Sequence, residues 1–254
     1  MNKGICKLCL KEKKLLKKSH IIPDFMYQKL YGSEHKLEVF TNKSLEQNNS
    51  KDIKRPSSGE YESNILCQEC DNRILSEYES YASKVLFTGN ISNPQGNPIV
   101  KKYLSLDNVR YAVLSNVDYR KFKLFLLSIL WKSSISSRLF FREVNLNHYE
   151  EVIRKMLLNN DPGDELDFPI TISHYWGHED LRIDWILQPR RFIDNNVEVF
   201  LFPINGIILK FHLVLQSKEE VFLDLVPKKN NTICMISLPK ESMYDFIFKY
   251  TNIV

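Results

Sequence analysis

The spacing of apolar residues changes along the chain, and each change predicts a different kind of structure. Up to residue 66 the sequence is polar and weakly periodic, and Asn, Ser, Lys and Glu dominate residues 42–63. Such a composition is typical of a long surface loop. After it, apolar residues recur at helical spacing from Ile74 to Leu86. This periodicity predicts an amphipathic helix over residues 71–87.

The middle of the chain, residues 107–160, is predicted to be helical. The run 122–131 (FKLFLLSILW) is apolar on nearly every side, so its helix should lie at the centre of its domain. A second helix is predicted to begin near Asn147, where Glu150 stands three residues on, as in a capping box. It should end before the Asp-Pro-Gly turn signal at 161–163.

Strand signals take over in the last third of the chain. Its apolar segments are rich in β-branched and aromatic residues and are separated by turn residues. The predicted strands cover 168–176, 182–188, 197–202, 206–215, 221–225 and 232–238, and a short helix over 241–250 follows. The fold class expected from these signals is α+β, with a central helical segment and a C-terminal, mostly antiparallel β region.

A turn-rich stretch at 89–99, with three Asn, two Gly and two Pro, indicates a domain boundary. We therefore divide the chain into a module over 1–90 and a helical plus β domain over 91–254. In the second domain the helices are predicted at about 107–160 and the strands at about 168–238. The sequence does not indicate what this domain does. We expect it to contact a second copy of the chain or a protein partner.

Composition narrows the class of protein. Apolar residues make up 43% of the chain, enough for a folded core. No apolar run approaches the ~20 residues that a membrane helix needs, and no hydrophobic signal segment is present at the charged N-terminus. We expect a soluble, cytoplasmic protein that does not bind a membrane.

Positive charge is concentrated at the N-terminus. The net charge of the chain is +4, but residues 1–20 alone hold seven Lys and one Glu and carry a net +6. Such a concentration is expected where an anionic partner approaches, and nucleic acid is the common case. The alternative is a solvated segment whose lysines only confer solubility.

Four of the five cysteines form two Cys-x-x-Cys pairs, Cys6/Cys9 and Cys67/Cys70. In a chain without an export signal this pattern favours a metal over disulfides. Four thiolates complete a tetrahedral structural zinc site, and zinc would supply folding energy that a polar N-terminal region lacks. The fifth, Cys234, lies in an apolar segment and is predicted to be an inert buried thiol.

Between the two pairs lies Ser-His-Ile-Ile-Pro at 19–23, and Asn64 and Leu66 precede the second pair. In this order of motifs the chain resembles the HNH endonuclease families, whose cysteine-bearing branch is built on a zinc-stabilised treble-clef (ββα-metal) core. The resemblance covers residues 5–87, about a third of the chain. The chain is also similar to uncharacterised bacterial proteins with the same motif that are associated with anti-phage defence.

The resemblance implies a metal-dependent endonuclease that hydrolyses phosphodiester bonds in DNA, with RNA as the other candidate. His20 would be the general base that activates a water molecule, and Asn64 would hold it in place. A Mg²⁺ or Mn²⁺ ion would polarise the scissile phosphate. The residues expected to bind the nucleic-acid backbone are Lys13, Lys14, Lys17, Lys18 and Arg73.

Two positions depart from the HNH pattern. Ser19 stands where an Asp or His usually binds the catalytic metal, and Asp71 stands where a His is usual. Asp71 is a candidate ligand of the catalytic metal, but it could equally stabilise a helix N-terminus. Glu79 would lie about 12 Å farther along a regular helix and could share an ion with Asp71 only if that helix were irregular. The alternative function is therefore a catalytically inactive zinc-binding module for nucleic-acid or protein recognition.

A second pair of histidines, His174 and His178, lies beside Glu179 and Asp180. Their spacing would suit a metal site on a helix, but Gly177 and the strand-like flanks favour a structural or partner-binding role. Gly-rich nucleotide-phosphate motifs are missing from the sequence, which has eight glycines in all.

Overall fold

The structure is a computed structural model that describes residues 3–32, 34–40, 53–87, 98–175, 177, 183–194, 196–213 and 223–251. The strands are β1 (Lys3–Ile5), β2 (Glu12–Lys14), β3 (Ser19–His20), β4 (Tyr61–Glu62), β5 (Ile99–Leu104), β6 (Arg110–Ser115), β7 (Ile170–His174), β8 (Arg190–Asp194), β9 (Val197–Ile204), β10 (Ile207–His212) and β11 (Ile233–Ser237). The α-helices are α1 (Ser76–Phe87), α2 (Tyr119–Ile135), α3 (Tyr149–Asn159) and α4 (Ser242–Thr251). Short 3₁₀-helices cover Asp24–Tyr27 and Leu139–Phe141, and a π-helix over Cys70–Leu75 runs directly into α1. The described residues therefore form a mixed α+β fold, as predicted.

The C-terminal part is organised around a seven-stranded sheet with the order β5-β6-β11-β7-β10-β9-β8. All neighbouring strands are antiparallel except β11 and β7, which run parallel. Side chains of β7 alternate between buried and half-buried positions, because successive residues of a strand point to opposite faces. A large, mostly antiparallel C-terminal sheet is confirmed.

Helix α2 lies at the centre of the described fold, as its apolar sequence predicts. Fourteen of its 17 residues are buried, and α1 and α3 both pack against it. Its N-terminus is capped by Asp118, whose carboxylate accepts a hydrogen bond from the Lys121 N–H at 2.9 Å. Buried side chains from the N-terminal part, from the helices and from the sheet form one continuous core.

The N-terminal part consists of two small antiparallel pairs, β1 with β2 and β3 with β4. The second pair joins segments about 40 residues apart and places His20 opposite Tyr61. Next to it, Leu15 bridges to Cys67, which brings the second cysteine pair beside the strand that leads to His20.

Several predicted elements differ in the structure. The helical prediction for 107–118 is wrong, because Arg110–Ser115 forms strand β6 in a hairpin with β5. Alternating burial along β6, with Ala112 and Leu114 inward, explains the pairing. The helices of this region begin at Tyr119 instead.

Two predicted strands are also corrected. Residues 183–188 form only an isolated bridge from Ile186 to Ile204, and the edge strand is β8, which follows them. Residues 223–225 belong to a helical turn and not to a strand. The predicted helix at 71–87 is confirmed, but it opens with a π-helical turn, and the second central helix begins two residues after Asn147.

Most of the turn-rich stretch at 89–99 and half of the predicted loop at 42–63 lie outside the described residues. The division into 1–90 and 91–254 therefore stays a prediction. Among the described residues, none of the helices has both the length and the apolar character needed to cross a membrane.

Candidate functional site

The four paired cysteines converge on one point. The sulfur atoms of Cys6, Cys9, Cys67 and Cys70 all lie within 4.8 Å of one another, and all five cysteines of the chain are free thiols. Sulfurs bound to zinc at ~2.3 Å in a tetrahedron are about 3.8 Å apart, so this cluster fits a Cys₄ zinc site. Three of the four are buried, and Cys9 is half-buried. The sequence prediction of a cysteine cluster that could hold zinc is confirmed.

Main-chain hydrogen bonds shape the first cysteine pair into a tight knuckle. The Cys6 N–H donates to the Lys11 carbonyl at 3.0 Å, and the Leu10 N–H donates to the Cys6 carbonyl at 2.8 Å. Leu10 has a φ of 57°, a left-handed conformation that closes the turn. The sulfurs of Cys6 and Cys9 are thereby directed to the same side.

The second pair is joined to the first by hydrogen bonds at sulfur. The Cys67 N–H donates to the Cys6 Sγ at 3.4 Å. Hydrogen bonds from the Cys70 thiol and from main-chain N–H groups lower the pKa of the Cys6 thiol to about 4, although burial opposes this. The pKa values of two other thiols are raised instead, by burial at Cys67 and by the hydrogen bond to Cys6 at Cys70. The site therefore favours the metal-binding thiolate form at Cys6.

Two basic side chains attach the knuckle to the central helices. Lys7 donates from Nζ to the Ile135 carbonyl, at the C-terminal end of α2, at 3.0 Å. Arg154 of α3 donates to the Leu8 carbonyl and pairs with the Glu151 carboxylate at 2.6 Å. The cysteine cluster is therefore held by the second half of the chain as well as by its own loop.

His20 lies at the surface beside this cluster, with 27% of its side chain exposed. Its Nε2 is 3.1 Å from the Ser58 hydroxyl and 3.8 Å from the Asp24 carboxylate. Burial lowers the pKa of His20, and the positive charges of Lys18 and Lys132 lower it further, against the opposing effect of Asp24 and Glu79. Burial thus favours the neutral imidazole, the form that a general base needs.

Ser19 and Asp71, the two departures from the HNH pattern, lie together, and Ser19 directly precedes His20 in β3. Ser19 is fully buried, and its hydroxyl lies near enough to the Asp71 carboxyl to favour the charged form by hydrogen bonding. Burial nevertheless raises the pKa of Asp71 overall. Burial disfavours the charged carboxylate in either predicted role, so this direction does not separate a metal ligand from a helix-end stabiliser.

Lys132 of α2 and Glu79 of α1 complete the surroundings of this site, and the sequence reasoning missed the lysine. Lys132 is fully buried, and its Nζ lies 2.7 Å from the Glu79 carboxylate. Its charge lowers the pKa of both Asp71 and His20. The one signal in the sequence was a lysine directly after an apolar run of ten residues, on a helix predicted to be buried all round.

The predicted partner of His20, Asn64, takes a different position. Asn64 is exposed and adopts a left-handed φ of 61°. Its main-chain N–H donates a hydrogen bond to the Leu16 carbonyl at 2.9 Å. It therefore fixes the chain beside the β3–β4 pair through its backbone. The side chain of Ser58, which the sequence did not single out, contacts the His20 ring at Nε2.

The predicted nucleic-acid-binding residues fall into two groups. Lys13, Lys14 and Arg73 line one cavity of about 580 Å³ beside Cys67, where Arg73 also pairs with Glu69 at 2.7 Å. On the His20 side, the Lys18 Nζ lies 4.9 Å from the centre of the Tyr61 ring. Lys17 is exposed, and its carbonyl accepts a hydrogen bond from Ser63.

Of the second pair of histidines, His174 lies among the described residues. His174 lies in β7, is 8% exposed, and has its Nε2 3.1 Å from the Ser237 hydroxyl, which fits a structural role. Its predicted companions His178, Glu179 and Asp180 lie outside the described residues. Within the described part of the chain, the cysteine cluster is the only group of three or more His, Cys, Asp or Glu side chains close enough to share an ion.

Comparison with known proteins adds no relative: no family model, no curated protein and no solved structure matches this chain. The function must therefore be argued from the geometry of the cysteine cluster and of the His20 site.

Proposed function

We propose that the chain is a metal-dependent HNH-type endonuclease that hydrolyses phosphodiester bonds in DNA, with RNA as the other candidate substrate. The observation that carries the proposal is the position of His20. Its side chain is 27% exposed, burial lowers its pKa, and it lies on a strand pair that the Leu15–Cys67 bridge connects to the four cysteines that could hold zinc. A role in bacterial defence against phage is the setting implied by the same resemblance.

The finer fold assignment is part of this proposal. A treble-clef core would consist of the knuckle at Cys6–Cys9, the β3–β4 pair and the helix that begins at Cys70. Support comes from the order of these elements and from their contact through Leu15 and Cys67. Zinc would hold the knuckle to the helix and so fix the strand pair that carries His20.

The contacts of His20 support a specific role for each ring nitrogen. Among the described residues, Ser58 and Asp24 approach the ring at Nε2. If Nε2 carries the proton and donates toward them, Nδ1 is left with a lone pair that can accept a proton from water. The water oxygen would then attack the phosphorus atom, and Ser58 and Asp24 would stabilise the imidazolium that forms.

A hard divalent cation fits the donor chemistry beside His20. Asp71 offers a carboxylate, and the adjacent Ser19 hydroxyl is a fully buried oxygen that favours the charged form of that carboxylate. Mg²⁺ commonly takes one or two carboxylates and completes its coordination with water and substrate phosphate. When bound, such an ion would polarise the scissile phosphate and stabilise the leaving oxygen. Glu79 is engaged by Lys132, so Asp71 is the residue we expect to hold the ion.

The experiment is cleavage of supercoiled plasmid DNA by purified protein with Mg²⁺, Mn²⁺ or EDTA, run beside His20→Ala. We expect nicking that needs the metal and disappears in the variant. His148→Ala is the matched control, because His148 is an exposed histidine at the start of α3 and should leave cleavage unchanged. If wild type and His20→Ala behave alike while both bind DNA, the chain is the alternative, a zinc-binding recognition module.

A further inference from the structure

Tyr61 is the strand neighbour of His20. The two residues are paired across the β3–β4 ladder, and their rings meet edge to face with centroids 6.5 Å apart. Tyr61 keeps 36% of its surface exposed, so its ring is part of the outer surface beside the candidate base. Any polymer that reaches His20 from solvent passes close to this ring.

Two cations flank the same ring, and they come from distant parts of the chain. The Lys18 Nζ lies 4.9 Å from the centre of the Tyr61 ring, and the guanidinium carbon of Arg138 lies 6.0 Å from it. Both distances are within the range of cation–π attraction. Lys18 immediately precedes β3, whereas Arg138 follows α2 in the second half of the chain.

Glu60 and Glu62, the residues on either side of Tyr61, hold Arg138 and the loop before it in place. Its Nε donates to the Glu60 carboxylate at 3.0 Å. The preceding loop is anchored by the Glu62 carboxylate, which accepts from the Ser137 N–H at 2.8 Å and from the hydroxyls of Ser136 and Ser137 at 3.0 Å. Arg138 is still 50% exposed, and its hydrogen bonds to described residues leave both terminal nitrogens available.

We propose that Arg138 and Tyr61 join Lys18 in a phosphate clamp beside His20, through which both halves of the chain hold the backbone of a DNA substrate. The inference rests on the proposed function in taking DNA as the ligand, and it adds residues that no sequence motif indicated. A planar guanidinium with two free nitrogens can bind a phosphate in bidentate fashion, and an ammonium adds a second charge. The exposed aromatic ring fixes the distance between them.

The charges around the clamp explain why these two cations matter. Glu60, Glu62 and Asp24 all lie close to His20 or Tyr61, and each repels a phosphate. The lysines that give the N-terminus its positive charge lie partly elsewhere, since Lys13 and Lys14 line the separate cavity beside Cys67. A DNA strand at His20 therefore depends on Lys18 and Arg138 for local attraction.

The test is binding of a fluorescein-labelled 20-base-pair DNA to His20→Ala protein, measured by anisotropy over a series of salt concentrations. Arg138→Ala should weaken binding on the order of tenfold. It should also reduce the salt slope by about one, the signature of one lost phosphate contact. Lys18→Ala should act similarly. Tyr61→Phe, which keeps the ring, should bind like the parent, whereas Tyr61→Leu should not.

Arg110→Ala is the matched control, since Arg110 is an exposed arginine on β6 in the large sheet. Melting temperatures show that each variant folds. Unchanged affinity and salt slope in Arg138→Ala, or a loss no larger than in Arg110→Ala, would overturn the clamp even if wild type cleaves DNA. Conversely, weaker binding in Arg138→Ala without any His20-dependent cleavage by wild type would support the clamp and reject the nuclease.

Discussion

The buried ammonium group of Lys132 lies 2.7 Å from the carboxylate of Glu79, and this pair joins the central helix α2 to the helix that follows the cysteine cluster. A buried ion pair is costly to desolvate and is often no better for stability than apolar residues of similar volume. Both charges of the pair nevertheless influence the pKa values of His20 and Asp71. The pair is thus better explained by the His20 site than by folding.

This explanation predicts opposite outcomes for stability and activity. Lys132→Met should lower the free energy of unfolding by about 1–3 kcal/mol, because Glu79, which is half-buried, loses its partner. The double variant Lys132→Met/Glu79→Leu should recover most of that loss in urea unfolding. It should not recover DNA cleavage, since the charges next to His20 are gone.

The matched control is the exposed pair Lys36–Glu34, with an N–O distance of 2.8 Å. Lys36→Met should change stability by less than about 1 kcal/mol. A double variant that is stable and cleaves DNA like wild type would show that the buried pair has no part in the site.

Zinc should stabilise the whole described fold and not the knuckle alone, because Lys7 and Arg154 tie the knuckle to α2 and α3. Structural zinc sites contribute binding free energies of about 10 kcal/mol or more to folding. We expect one zinc per chain by metal analysis, and a large drop in melting temperature with a strong chelator. Cys67→Ser should lose the metal, whereas Cys234→Ser should retain it. Zinc retained by Cys67→Ser would contradict the assignment.

Much of the site was predictable because its signals are local in sequence. Two Cys-x-x-Cys pairs, a histidine between them and a helix after the second pair each depend on residues a few positions apart. The same holds for α2, whose sequence is apolar on nearly every side and so predicts a central position. Hydrophobic pattern alone misassigned residues 110–115, because a short apolar stretch next to a helix has no reliable period.

The rest of the candidate site depends on contacts between residues far apart in the sequence, which the spacing of motifs does not reveal. Lys132 and Glu79 are 53 residues apart, and Ser58 reaches His20 across 38. The sequence singled out Asn64 and gave no sign of Ser58, since the path of the chain between the cysteine pairs decides which side chain meets the ring. Arg138 approaches Tyr61 only because Glu60 and Glu62 hold its loop.

Gly59 should be indispensable for the orientation of His20. A Cβ atom at this position would lie 2.3 Å from the ring of Tyr27, which is buried and cannot move aside easily. Gly59→Ala should therefore cost about 1–3 kcal/mol and displace the adjacent Ser58 from His20. Gly32→Ala, whose Cβ would meet its nearest atom at an ordinary 3.7 Å, is the control for urea unfolding and DNA cleavage. Equal effects in the two variants would argue against this steric account.

His212 should make the fold sensitive to acid. Burial, followed by the charge of Lys210, lowers the pKa of His212 to about 4, although Asp194 opposes the shift. The unfolded chain then binds more protons between pH 6.5 and 4, so stability is fully present above pH 6.5 and is lost as the pH falls toward 4. The loss should reach about 3 kcal/mol.

The measurement is the free energy of unfolding of wild type and of His212→Gln at pH 7 and at pH 4.5. The variant should be destabilised less on acidification than wild type. His148→Gln removes an exposed histidine and should follow wild type at both pH values. Identical pH dependence in His212→Gln and wild type would mean that another group causes the acid sensitivity.

The pH dependence of cleavage should report His20 itself. A general base works in its neutral form, so kcat/KM should rise with pH through the pKa of His20, and the midpoint should lie below 6.5 because burial lowers that pKa. Two charged neighbours should move the midpoint in opposite directions. Lys18→Ala removes a positive charge and should shift it upward, whereas Asp24→Asn removes a negative charge and should shift it downward.

Lys17→Ala is the control for this pair of shifts, because Lys17 is an exposed lysine next to Lys18 that does not contribute to the lowered pKa of His20. Its midpoint should match that of wild type even if its DNA affinity falls. Midpoints that move in the same direction in Lys18→Ala and Asp24→Asn would assign the titration to a group other than His20. A wild-type midpoint above 6.5 would likewise argue against His20 as the base, since the burial of its ring favours the opposite shift.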